Sequence, residues 1–316
     1  MMRKAPEFWY RPPGLASSAL QPAAALWRAA TWIKRRFARP VKLGIPVICV
    51  GNLTVGGTGK TPIVQTLGDR LMRRGKQVHI VTRGYGGTFA GPIRVDPTRH
   101  SAEDVGDEAL LLAATLPVWV ARRRSAGALA AEAAGAEVIV LDDGHQNSTL
   151  HHDLSLVVVD GEIGFGNGCV VPSGPLRETI GAGLARADAV VLMGEGDIAY
   201  GGVKLRAHLT PVGAEALAGA RAVAFAGIGR PEKFFETLRG IGVELIATVS
   251  YPDHYAYDSS EIAHMARRAA RQSAMLVTTQ KDWVRLEPPY RHNVACLMVR
   301  AEFDDPQAIE TMLDRL

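Results

Sequence analysis

The run Gly56-Gly57-Thr58-Gly59-Lys60-Thr61 could do the most specific chemistry in this chain. An apolar stretch ends just before it at Asn52, and a helix-forming stretch begins at Lys60. That is the strand, glycine-rich loop and helix that a phosphate-binding loop requires. Glycines let backbone N–H groups turn inward, and the helix aims its positive end at the anion. Lys60 then reaches the β- and γ-phosphates, and the Thr61 hydroxyl faces Mg²⁺. The pattern predicts ATP contacts at Thr54, Val55, Gly56, Gly57, Thr58, Gly59, Lys60 and Thr61. Thr54 stands where the strict pattern has glycine.

Carboxylates form two further groups. Val138-Ile139-Val140-Leu141 runs into Asp142-Asp143-Gly144, an apolar strand delivering two acids to its carboxyl end. In open α/β sheets that edge is where ligands bind, so Asp142 and Asp143 are candidate Mg²⁺ partners. Gly106-Asp107-Glu108 opens a helix. Acids in a first turn are often no more than a favourable helix start. A kinase also needs a carboxylate beside the acceptor hydroxyl, and spacing alone leaves both readings open. Arg83 and Arg122 to Arg124 follow strand-like runs and could meet an anionic substrate.

The elements that would position these groups alternate. Strands are expected over Pro46–Asn52, Gln77–Thr82, Val118–Ala121, Glu137–Asp142, Leu154–Asp160 and Asp188–Met193, with helices between them. The fold class is therefore α/β, a P-loop kinase-like parallel sheet flanked by helices. A second series, from Arg221–Ala226 to Met275–Thr278, suggests a smaller α/β domain from about 205. Residues 1–45 differ. From Ala23 to Ala38, Leu26, Ala30, Ile33 and Phe37 share one helical face while Arg28, Arg35 and Arg39 lie opposite. This amphipathic N-terminal helix either packs on the core or lies in a membrane interface. The expected units are thus 1–45, 46–204 and 205–316.

Of 316 residues, 47% are apolar and 22% charged, which suits a sizeable core. A net charge of +4 is too small to argue for nucleic acid. The three cysteines match no disulfide or metal spacing, which suits a reducing compartment. Neither a secretory signal nor a spanning apolar run is expected.

Taken together, these motifs resemble the tetraacyldisaccharide 4′-kinase family. The resemblance runs from Pro6-Glu7-Phe8-Trp9 to Lys281-Asp282 and includes Thr82-Arg83-Gly84-Tyr85-Gly86, Asp142-Asp143-Gly144-His145-Gln146, Pro172-Ser173-Gly174-Pro175-Leu176-Arg177-Glu178 and Tyr251-Pro252-Asp253-His254. In that family Thr54 is usual. The resemblance implies ATP-dependent phosphorylation of the 4′-hydroxyl of a tetraacylated glucosamine disaccharide 1-phosphate, in lipid A biosynthesis. The implied place is the cytoplasmic face of the bacterial inner membrane, held through the N-terminal helix. It implies a proton-accepting pair, Asp107 and His254, and a Mg²⁺ environment of Thr61, Glu108, Asp142 and Asp143. Substrate contacts are implied for Arg83, Arg124, Gln146, Asn147 and Arg177, with no obligate protein partner and no nucleic acid. Asn147, Tyr255 and Gln280 depart from the family pattern. A P-loop switch ATPase is the rival, but Val55 stands where such proteins carry a signature lysine.

Overall fold

The structure, a computed structural model, describes residues 5–316; the first four residues of the expected N-terminal unit lie outside it. The strands are β1 (Val47–Gly51), β2 (Val78–Thr82), β3 (Ile93–Arg94), β4 (Val118–Val120), β5 (Val138–Asp142), β6 (Leu154–Asp160), β7 (Ala189–Met193), β8 (Val203–Val212), β9 (Arg221–Ala226), β10 (Glu244–Ser250), β11 (Met275–Thr279) and β12 (Val294–Phe303). They form one sheet in the order β10-β9-β11-β12-β8-β7-β6-β1-β5-β2-β4-β3.

Strands β1, β2, β5, β6 and β7 are buried along their whole length. They read as continuous Val/Ile/Leu runs rather than alternating ones, because helices cover both faces of a parallel sheet. Each fully buried Leu, Ile or Val contributes roughly 1.5–3 kcal/mol. The register sets the site: β1 and β5 are parallel neighbours with Val50 opposite Asp142. The start of the phosphate loop and the aspartate pair therefore leave the sheet side by side.

The second half has its own cores. Phe234, Phe235 and Leu238 pack on one face of β9–β12, while Ile262, Met265 and Ala269 pack on the other. Strand β8 runs parallel to β7 and antiparallel to β12, so the sheet is continuous between the halves. The expected boundary near 205 falls inside β8. The last helix, Pro306–Leu313, returns to the first half, where Ile309, Met312 and Leu313 join its core.

The N-terminal helix spans Gln21–Arg36, with Pro22 in its first turn, and stops short of Pro40. Ala24 is buried, Trp27 Nε1 donates to the Arg177 carbonyl at 2.9 Å, and Arg35 pairs with Glu178 at 2.7 Å. The face carrying Leu26, Ile33 and Phe37 points away from the protein, with these side chains 75%, 51% and 76% exposed. The helix thus docks by its polar side and leaves its apolar side uncovered.

Candidate functional site

The phosphate loop begins where β1 meets the β5 turn. At Gly51 a Cβ would lie 2.5 Å from the His145 Cβ, so only glycine lets the two segments touch. Gly56 and Gly59 take φ of +117° and +85°. The helix Lys60–Arg73 has no side-chain N-cap, so its first N–H groups are uncommitted to a capping group. The loop's leading edge is anchored: Val55 N–H donates to the Pro175 carbonyl at 2.8 Å, and Arg177 N–H to the Leu53 carbonyl at 2.7 Å. Lys60 Nζ lies 3.5 Å from Asp143 Oδ1. Thr61 is half-buried in the first helical turn.

Asp142 ends β5 almost wholly buried. One oxygen accepts from Thr82 Oγ1 at 3.1 Å, and the other, Oδ1, has no partner. Burial, with the charges of Glu108 and Asp143, pushes its carboxyl up to about 7. Asn52 Oδ1, Thr58 Oγ1 and Arg124 Nε are likewise buried without partners. Buried polar atoms are nearly always bonded, so orphans at the edge where the phosphate loop opens fit a polar ligand there. Among the described residues, no three His, Cys, Asp or Glu are grouped to hold a metal by themselves. Mg²⁺ at phosphate sites takes one or two carboxylates, with phosphates and water completing its shell, so a lone carboxylate oxygen fits it.

Asp143 behaves differently. It sits at φ 51°, a left-handed conformation unusual for a non-glycine residue. Arg177 Nη1 donates to both its oxygens, at 2.8 and 2.9 Å, and its carbonyl accepts from Arg124 Nη2 at 3.2 Å. Burial raises its carboxyl, but Lys60 and Arg177 outweigh that and hold it at about 2. Gln146 donates to the Asn52 carbonyl and to Glu178 and accepts from Arg177, bracing the loop from beneath. Asn147 lies one step out: its Oδ1 closes a turn on Thr149. Arg83 is exposed at the end of β2, and its charge reaches Arg124.

The third part joins the halves. At Gly106, at φ +87°, a Cβ would meet the Tyr85 carbonyl at 2.4 Å, which fixes the turn that presents Asp107 against the 82–86 loop. Asp107 Oδ2 lies 2.9 Å from His254 Nδ1. His254 also has positive φ, 58°. Arg285 Nε donates to the same Asp107 oxygen at 2.7 Å. Lys281 Nζ stands 3.2 Å from His254 Nε2, 3.3 Å from Glu108 and 3.5 Å from Asp253. Burial would raise the Asp107 carboxyl, but the His254 hydrogen bond and the charges of Lys281 and Arg285 hold it well below the usual carboxylate range.

Sequence reasoning missed Arg285 and gave Lys281 no role; neither carries a spacing that separates it from a solvated basic residue. Of the departures from the family pattern, Tyr255 bonds Glu261, and Gln280 Oε1 accepts from Val299 N–H in β12.

The family model described as tetraacyldisaccharide-1-P 4′-kinase matches residues 16–316. A tetraacyldisaccharide 4′-kinase of Rhodospirillum centenum is 51% identical over 322 residues, covering 98% of this chain and 96% of that relative. One of Rhodospirillum rubrum is 51% identical over 327 residues, covering 99% and 98%. Among solved structures, LpxK from Aquifex aeolicus, described as an "apo" form in complex with ATP, superposes with a TM-score of 0.80 at 28% identity. It covers 95% of this chain and 99% of its own.

Proposed function

The chain belongs to the tetraacyldisaccharide 4′-kinase family, and from that premise we propose which of its residues perform the transfer. The enzyme phosphorylates the 4′-hydroxyl of a tetraacylated disaccharide 1-phosphate in lipid A biosynthesis, with ATP and Mg²⁺ as cofactors. In this reading residues 46–204 hold the nucleotide, 205–316 supply His254, and 1–45 meet the lipid.

The uncapped start of the helix Lys60–Arg73 and the Lys60 ammonium receive the phosphates, while Asp143, itself fixed by Arg177, holds Lys60 in place. Asp142 Oδ1 and the Thr61 hydroxyl are the first candidates to hold Mg²⁺, with Glu108 and Asp143 around them. Held there with ATP, Mg²⁺ would supply positive charge to offset the negative charge developing on the transferred phosphoryl group. Arg83 and Arg124 are candidates for anionic groups of the substrate.

The observation that carries the proton-transfer reading is the 2.9 Å contact between Asp107 and His254. Asp107 accepts from Nδ1–H, which leaves the lone pair of His254 on Nε2, the nitrogen an acceptor hydroxyl must reach. The Lys281 ammonium at that nitrogen is the group the hydroxyl displaces, and Glu108 and Asp253 are at hand to receive it.

The test is a mutant cycle. Asp107→Ala and His254→Ala should each lower kcat by about two orders of magnitude, and the double variant should be little worse than the worse single one. Losses that add fully in activation free energy would show that the two residues do not act as a unit.

Among the described residues no helix is long and apolar enough to cross a membrane. The outward apolar face of the helix Gln21–Arg36 supports peripheral attachment at the cytoplasmic face of the inner membrane, where an acylated acceptor resides.

A further inference from the structure

Asp107 and His254 lie 147 residues apart, and His254 sits at φ 58°. A histidine holds that conformation only where its surroundings over-determine it. One side chain reaches both residues. Arg285 is 6% exposed, and its Nε and Nη2 both donate to Asp107 Oδ2. Its Nη1 donates to the Gly227 carbonyl at 2.9 Å and to Asp282 Oδ1 at 2.8 Å. The same Gly227 carbonyl accepts the backbone N–H of His254 at 3.1 Å. The guanidinium therefore grips Asp107 directly, and meets His254 both through the shared carbonyl and with Nη2 at 3.4 Å from Nδ1.

Asp282, with no exposed surface, completes the frame. It accepts from Gly227 N–H at 3.0 Å, Tyr257 Oη at 2.8 Å and Thr279 Oγ1 at 2.6 Å. A Cβ on Gly227 would lie 2.8 Å from Tyr257 Oη and 3.1 Å from Asp282 Oδ1, so the Gly227 backbone is pressed between this acid and the loop that carries His254. Only the planar, five-donor fork of arginine can serve Asp107, Gly227 and Asp282 together; an ammonium is a point charge.

We infer that Arg285, backed by Asp282, is a positioning residue for phosphoryl transfer, holding the Asp107 carboxylate and the His254 imidazole in one fixed relation. This rests on the reading of the pair as a proton acceptor. A merely structural arginine would stabilise the fold whether or not Asp107 were present. A positioning arginine acts on turnover only through Asp107 and His254.

The experiment measures kcat, KM for ATP and KM for the acylated disaccharide 1-phosphate in mixed micelles. The proteins are the full-length wild type, Arg285→Lys, Asp107→Ala and the double variant, with thermal melts of each. The expected result is a fall in kcat of about tenfold or more for Arg285→Lys, with KM for ATP within about threefold of wild type. Adding Arg285→Lys to Asp107→Ala should then change kcat by less than about twofold. An equal fall in both backgrounds, or wild-type kcat in Arg285→Lys, overturns the positioning role and leaves the pair intact. Wild-type kcat in Asp107→Ala instead removes the pair reading, and this inference with it. If Arg285→Lys does not fold, the isosteric Asp282→Asn releases Nη1 and enters the same cycle, with the same outcomes deciding.

Discussion

Asp142 is the residue whose chemistry is most strongly shaped by its place in the fold. Burial and two neighbouring acids push its carboxyl up to about 7. A carboxyl raised in the folded state binds a proton there that the unfolded chain has released. The stability this represents is present below the ordinary aspartate range and is lost as pH rises through about 7. Without Mg²⁺, Asp142→Asn should therefore melt higher than wild type at pH 8, by a few degrees, while losing nearly all turnover. The proton also competes with the ion, so the Mg²⁺ concentration for half-maximal activity should rise about tenfold between pH 8 and pH 6. An unchanged Mg²⁺ requirement over that interval would remove Asp142 from the metal site. Lys60, Thr61 and Asp142 were legible because loop, strand and spacing are local. Asp107 was legible only as one of two readings, since its partner is distant in sequence. Arg285 was invisible, because nothing in the chain marks which arginine will be buried between two carboxylates.

Among the elements, the central strands and crossover helices followed from apolar runs and the glycines between them. Strands β8 and β12 did not. In Val203–Val212, Lys204, Arg206 and His208 break the apolar run, and burial there is confined to Leu205 and Ala207, which join the core of the first half. The helix Pro306–Leu313 was missed for a related reason: Ile309, Met312 and Leu313 need the core of the first half to pack on, and Glu310 pairs with Arg70, 240 residues earlier. The N-terminal helix was legible in extent, but which side would dock was not. Arg35 turned inward to Glu178, leaving Arg28, Arg36 and Arg39 exposed. Burying Leu26, Ile33 and Phe37 in lipid is worth roughly 1.5–3 kcal/mol each, and each free basic residue adds about 1 kcal/mol near anionic lipid. Changing the three to Ser should release the protein from anionic vesicles and raise KM for the lipid far more than for ATP. Co-sedimentation equal to wild type would show that membrane contact lies elsewhere.

At the scale of the whole molecule, the site is assembled across the sheet. The first half supplies the phosphate loop, Asp142 and Asp107, and the second supplies His254, Lys281 and Arg285. One continuous sheet through β8 and β12 holds the two sets in register. The proposed assembly moves a phosphoryl group from ATP, bound at Lys60, to the acylated disaccharide. The most direct measurement follows γ-labelled phosphate from ATP into the lipid, with Mg²⁺ present, for wild type and for Lys60→Ala. Wild type should give a labelled lipid. Lys60→Ala should lower kcat by about two orders of magnitude or more, with an unchanged melting profile, because the lost cation stabilises charge in the transition state. Near wild-type labelling by a folded Lys60→Ala protein would contradict this role of Lys60.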